Sequence, residues 1–177
     1  MLMLDLFCGT KGAGRAFREA GWDVVAVDND ARHRPDVLAD LREWTWEGER
    51  PELVWASPPC TEFSRWAMPW CRKQGPPRPD LSLVEAALRV VQETQPHYWV
   101  LENVRGAVPF LDFLGPPRVV AGPFHLWGYF PPFRLELPPF KARLGSRDVV
   151  RRAAVPYRLS AALLAAVVGQ AELPLAT

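Results

Sequence analysis

Cys60 stands behind two prolines in the stretch ASPPCTEFS, residues 56 to 64, where an apolar run ends. Proline fixes φ and removes a backbone donor, so Pro58 and Pro59 would hold the thiol on a rigid turn. A loop at the carboxyl end of a sheet strand is where open α/β sheets bind ligands, and that position suits a nucleophile. A single cysteine in such a protein also reads as a small buried hydrophobe, a description that fits Cys8 and Cys71 better than Cys60. A second reactive group comes later, in WVLENV, residues 99 to 104, where an apolar strand is expected to end abruptly at Glu102 and Asn103. A carboxylate there would point into the same crevice, partly desolvated, where its pKa rises and it can donate a proton. Glu102 could instead cap a short helix that follows.

A third group of residues suits ligand binding. In LDLFCGTKGAGRAF, glycines at 9, 12 and 14 follow a strand and open a helix. Absent side chains let a ligand approach the backbone, and the N–H groups at a helix start favour a polar or anionic group. A second strand ends in Asp28, 19 residues after Gly9, and a carboxylate there can accept both hydroxyls of a ribose. Asp40 follows a short strand and could accept from an adenine amino group; by itself it reads as a surface or capping acid. After Cys60, the residues Ser64, Arg65, Trp66, Trp70, Arg72, Lys73 and Arg78 mix aromatic faces with positive charge, a combination that stacks on bases and contacts phosphates. Packing of Trp66 and Trp70 in the core is the competing expectation, because tryptophan is mostly buried.

The elements that must position these groups alternate between strand and helix, the pattern of an α/β domain with a mainly parallel sheet. Leu2 to Phe7 reads as a buried strand, Cys8 to Gly14 as a turn, and a helix runs to about Ala20 and closes at Gly21. Further strands are expected at Trp22 to Val27, Val37 to Ala39, Glu52 to Ala56 and His97 to Glu102. Leu81 to Gln95 places Leu81, Val84, Leu88 and Val91 on one helical face. Beyond Gly106 the Pro-Pro pairs at 116, 131 and 138 point to short, antiparallel strands joined by rigid turns, and Ser160 to Val168 to a closing helix. Arg72 to Asp80, RKQGPPRPD, is expected to be a surface loop.

With 177 residues, the chain is expected to form a single domain over 1–177. No apolar run reaches the roughly 18 to 20 residues of a membrane span, and MLMLDLFCG lacks the basic start and cleavage site of a signal peptide, so a cytoplasmic location is expected. Three cysteines without a C-x-x-C pair offer neither a disulfide framework nor a zinc ribbon, and no metal is expected. A net charge of +1 argues against binding nucleic acid through an overall field; a local basic stretch runs from Lys141 to Arg158.

DLFCGTKGAG, SPPCTEFS and ENV, in this order and at these spacings, resemble the cytosine-5 DNA methyltransferases over roughly residues 3 to 105. The blocks of adenine and exocyclic-amine methyltransferases, and the cysteine pair of the RNA cytosine-5 enzymes, are not found. The resemblance implies a Rossmann-like S-adenosylmethionine-dependent methyltransferase fold, with a mostly parallel central sheet and helices on both faces. It implies that Phe7 packs on the cofactor adenine, that Cys8, Gly9 and Gly12 line the cofactor, and that Asp28 binds its ribose. Asp40 and Leu41 would contact the adenine, and Pro59 would help place the cofactor beside Cys60. Cys60 would attack C6 of a flipped or single-stranded cytosine and Glu102 would hydrogen-bond N3, with transfer to C5. Ser64, Arg65, Trp66 and Asn103 would contact duplex or single-stranded DNA.

The forms LWG-x-F-P-P (Leu126 to Pro132) and PY-x-LS (Pro156 to Ser160) look most like the compact members encoded by bacteriophages and prophages. The separate target-recognition region usual in the wider family has no room here; only Ala121 to Arg158 could serve, and a single DNA-reading module already buries about 600 to 1,000 Å². Specificity is therefore expected to be short or loose, or to come from a partner. The arginine block after ENV is not recognisable, leaving Arg118, Arg134 and Arg143 as candidates for a base or phosphate contact. Two alternatives stay open: a cofactor-binding subunit that is inactive or needs a partner, and a methyltransferase acting on structured RNA such as tRNA.

Overall fold

In a computed structural model, residues 1–66, 79–138 and 154–171 are described, without the side chains of 65, 66, 170 and 171. Trp70, Cys71, Arg72, Lys73, Arg78, Arg143 and most of the basic stretch from Lys141 lie outside the described residues.

The apolar run Leu2–Leu6 forms strand β1, the middle of a parallel set. Asp23–Asp28 (β2) pairs with it on one side and Leu53–Ala56 (β4) on the other. Val37–Leu38 (β3) extends the sheet beyond β2, and Tyr98–Val104 (β5) extends it beyond β4. Phe124–Tyr129 (β7) and Val119–Ala121 (β6) add antiparallel to the β5 side, giving the order β3-β2-β1-β4-β5-β7-β6. The chain leaves β1 toward β2 and later returns to the other side of β1 with β4. Ligand crevices form at such a reversal, outside the carboxyl ends of the strands.

Strand alternation divides the core into two layers. Met3, Leu53, Trp55 and Val100 face one side, where Phe17 of helix α1 (Arg15–Glu19) and Leu159, Leu163 and Val167 of helix α4 (Tyr157–Ala171) cover them. Leu4, Leu6, Val54, Ala56 and Leu101 face the other, against helix α3 (Ser82–Thr94) and Phe63 of helix α2 (Thr61–Trp66). Coverage on both faces explains why the parallel strands read as continuous apolar runs.

Most expected elements stand within a residue or two of their boundaries, and Gly21, at φ +81, closes α1 as expected. Three details differ. On α3 the buried line is Val84, Ala87 and Val90, with Leu81, Leu88 and Val91 packed beside it. Helix α4 begins just behind Pro156 and extends past both ends of Ser160 to Val168. Strand β5 does not end at Glu102 and Asn103: its parallel pairing with β4 stops at Leu101, but β7 pairs with it through Glu102, Asn103 and Val104. Both polar residues are thus held inside the sheet.

The proline-rich stretch holds two 3-10 turns, Arg105–Phe110 and Asp112–Leu114, and then the antiparallel β6–β7 pair, as its turn residues suggested. Among the described residues no helix is long and apolar enough to cross a membrane.

Candidate active site

The glycine turn crosses the carboxyl ends of β1 and β2. Phe7, Gly9 and Lys11 all take positive φ, at 56°, 47° and 59°, so the chain reverses tightly after β1. Gly9 N–H donates to Asp28 Oδ2 at 2.9 Å, and Asp30 N–H to Oδ1 at 2.9 Å. Each Asp28 oxygen keeps a second acceptor site, enough for a pair of hydroxyls. A Cβ on Gly9 would meet nothing nearer than the Phe7 carbonyl oxygen at 3.9 Å, so space is open above this backbone. Gly12 has a different reason to be glycine: a Cβ there would overlap the carbonyl of Val155. Phe7 is half-buried at the mouth of the turn, whereas Cys8 is buried, and burial foremost pushes its thiol up to about 12.

Two residues beneath the turn escaped the sequence reading. Asp5 is 1 % exposed and accepts from Gly14 N–H at 3.2 Å; burial pushes its carboxyl up to about 7, opposed by that hydrogen bond and by Arg18. Ser160 Oγ donates to Ala13 O at 2.5 Å and accepts from Ala16 N–H at 3.2 Å, joining α4 to the end of the turn. A lone acid inside an apolar strand was the available signal for Asp5; Ser160 has none beyond its place in PY-x-LS.

Asp40 bonds its own turn. Its carboxylate accepts from Arg42 N–H at 3.0 Å and from the Arg42 guanidinium at 2.5 to 3.2 Å, which holds it down at about 2. Leu41 is 2 % exposed in the α3-side core, and its carbonyl, with that of Trp44, accepts from Arg89 at 2.9 and 2.7 Å.

The cysteine loop is built by extending the β4 ladder. Ser57 N–H donates to Leu6 O at 3.1 Å, Pro58 is buried, Pro59 is exposed, and half-buried Cys60 immediately precedes α2. The Cys60 carbonyl accepts from Ser64 N–H at 2.8 Å in the first turn of that helix. Phe63 is buried and tilted against Phe110 with ring centroids 6.1 Å apart, and Glu62 accepts from Asp80 N–H at 2.6 Å. These contacts seat α2 and thereby the loop.

Register explains how β5 serves this loop. Ala56 lies opposite Leu101, so continuing the pairing sets Ser57 beside Glu102 and Pro58 beside Asn103. Alternation sends Glu102 to the α1/α4 side and Asn103 to the α3 side. Glu102, 8 % exposed, lies beside Ser57; burial pushes its carboxyl up to about 7, and the Ser57 side chain opposes that rise. Asn103, 1 % exposed, donates from Nδ2 to Pro58 O at 3.1 Å and accepts from Val104 N–H at 2.9 Å. The Asn103 amide is buried and holds the cysteine loop, because β7 keeps it within the sheet.

Ser64 is half-buried on α2; Arg65 and Trp66 share that helix, with side chains outside the described residues. The Arg118 guanidinium lies 5.9 Å from the centroid of the Phe130 ring, and Arg134 is exposed. The arrangement thus combines an open glycine turn beside an acceptor carboxylate, a rigidly mounted thiol, and a carboxyl poised between its two protonation states near neutrality.

Comparison with known proteins agrees with these blocks. The family model for C-5 cytosine-specific DNA methylase matches residues 1–110. The Type II methyltransferase M.SacI of Streptomyces achromogenes is 37 % identical over 87 residues, covering 49 % of this chain and 22 % of that protein. A Frog virus 3 protein assigned as a DNA (cytosine-5)-methyltransferase is 31 % identical over 118 residues, 58 % of this chain and 53 % of its own length. Among solved structures, an Escherichia coli prophage protein assigned as a DNA modification methyltransferase is 23 % identical, covering 60 % of this chain and 33 % of that one at a TM-score of 0.44. The chain thus spans about half or less of the length of these curated relatives.

Proposed function

The chain belongs to the C-5 cytosine-specific DNA methylase family, and from that premise we propose that it transfers a methyl group from S-adenosylmethionine to C5 of cytosine in DNA, with residues 1–177 acting as one methyltransferase domain. The observation that carries this is the placement of Asp28, the Cys60 loop and Glu102 toward the carboxyl ends of β2, β4 and β5, within the parallel set β2-β1-β4-β5.

The residues present suit the cofactor. Asp28 offers two acceptor oxygens to ribose hydroxyls, its carboxylate already oriented by Gly9 and Asp30. The open backbone at Gly9 admits the amino-acid portion, and Phe7 offers an aromatic face for the adenine. Asp40 and Leu41 would supply the far wall of the adenine site, and Pro59 and Cys8 its approach to the thiol. When bound, S-adenosylmethionine supplies an electrophilic methyl group.

Cys60 acts as a thiolate that adds to C6 of the cytosine. Its electron pair forms the sulfur–carbon bond, and the displaced π pair gives C5 nucleophilic character. Glu102 in its protonated form donates to N3, stabilising the charge that develops on the ring during addition. After methylation the C5 proton leaves to solvent, the C5–H electrons reform the double bond, and the C6–sulfur bond breaks to return Cys60. Reaching C6 requires the base to be outside the stack, so the substrate cytosine is flipped or single-stranded. Ser64, Arg65 and Trp66 on α2 are positioned next to Cys60 in sequence to meet the strand.

The test uses tritiated S-adenosylmethionine with duplex DNA, single-stranded DNA and tRNA. Label in DNA cytosine for the native chain and none for Cys60→Ala is expected. Equal label in both proteins, or label confined to tRNA, refutes the proposal.

A further inference from the structure

We infer that Ser57 is a positioning residue for Glu102, its hydroxyl held by the Trp55 indole so that it donates to one carboxyl oxygen and leaves the other for the base. This rests on the reading that Glu102 meets the cytosine. Trp55 is fully buried, and its Nε1–H donates to Ser57 Oγ at 2.7 Å. An indole nitrogen can only donate, so the serine oxygen is the acceptor in that contact. The single hydroxyl proton is then left to turn toward Glu102, which the β4–β5 register sets beside Ser57 on the same face. Ser57 cannot drift, because its backbone N–H is tied to Leu6 O at 3.1 Å and two prolines follow it.

The alignment has a chemical consequence. A carboxyl oxygen that receives the serine O–H carries no proton of its own, so in the neutral acid the proton sits on the opposite oxygen. Trp55 and Ser57 share the α1/α4 side of the sheet with Glu102, which is why one relay can reach it. Burial raises the Glu102 carboxyl, and the Ser57 side chain opposes that rise. Ser57 is thus the directional partner, and its loss removes a bond that favours the ionised form.

The experiment follows the Glu102 carboxyl directly, by carbon NMR of the protein labelled at glutamate side-chain carbons, with Glu102→Gln assigning the signal. Ser57→Ala is expected to move that titration upward by about one pH unit, and Ser57→Thr to leave it in place. In methyl-transfer assays the basic limb of the pH profile should move with it, while kcat falls several-fold. Should Ser57→Ala fail to fold, Ser57→Cys, with a weakly donating thiol of similar size, carries the same expectation. A Glu102 titration unchanged in Ser57→Ala or Ser57→Cys overturns the inference. The NMR titration needs no turnover, so absent methyl transfer with a moved titration would count against the proposed function and not against the relay.

Discussion

The side-chain amide of Asn103 donates to the carbonyl oxygen of Pro58 at 3.1 Å across 45 residues of sequence, fastening the cysteine loop to the neighbouring strand. Its companion Glu102 faces the opposite side of the same strand and lies beside Ser57. One strand therefore supplies both the carboxyl proposed to meet the base and the strut of the cysteine loop.

Asn103→Ala should destabilise the protein by about 1 to 3 kcal/mol, because a buried carbonyl loses its donor and Val104 N–H its acceptor. A loosened loop should also lower kcat more than it changes cofactor affinity. Thermal unfolding and calorimetric titration with S-adenosylmethionine check the two halves; an unchanged melting temperature contradicts the strut.

Ser160→Ala should cost about 1 to 3 kcal/mol, since it leaves Ala13 O and Ala16 N–H unpaired in the core. Because these groups terminate the glycine turn, weaker cofactor binding should accompany the loss. Ser160→Thr should retain part of the stability if its added methyl is accommodated, and differential scanning calorimetry separates the variants.

Asp28→Asn keeps the shape but replaces one acceptor oxygen by a donor that would oppose the N–H of Gly9 or Asp30. Cofactor affinity should drop by roughly tenfold or more, the size of a lost hydrogen bond to a charged group. Calorimetry reads it, and native-like affinity for the variant would remove Asp28 from the binding site.

The pH dependence of stability follows from Glu102. Burial raises its carboxyl from 4.5 to about 7, so between these values the folded protein holds a proton that the unfolded chain has released. Its contribution is complete below about pH 4.5 and declines as pH rises toward 7. Glu102→Gln should flatten the stability curve over this window relative to the native chain, leaving the opposing and parallel effects of His125 and Asp5 in place. Urea unfolding at several pH values tests it: equal slopes for the two proteins contradict a buried, protonated Glu102.

Much of the site was legible because its signals are local. A strand followed by glycines at 9, 12 and 14, an acid at the end of the next strand, and a cysteine behind two prolines each carry their meaning in backbone conformation and period. The same locality misplaced the end of β5: Glu102 and Asn103 are polar, and polarity in an apolar run reads as a terminus. Strand β7 overrides it by pairing with both residues.

The order of elements, the parallel core and the candidate reactive groups are legible in the residues alone, since apolar periodicity and turn residues act over a few neighbours. What each polar side chain touches is settled by packing. Glu102 and Asn103 part company through strand alternation, and Ser57 comes to lie beside Glu102 through the β4–β5 register. Gly12 must be glycine because of the backbone at Val155, and Ser160 reaches Ala13 across 147 residues. Hydrogen bonds and close backbone contacts pair groups brought together by packing, and no local pattern around either partner encodes the other.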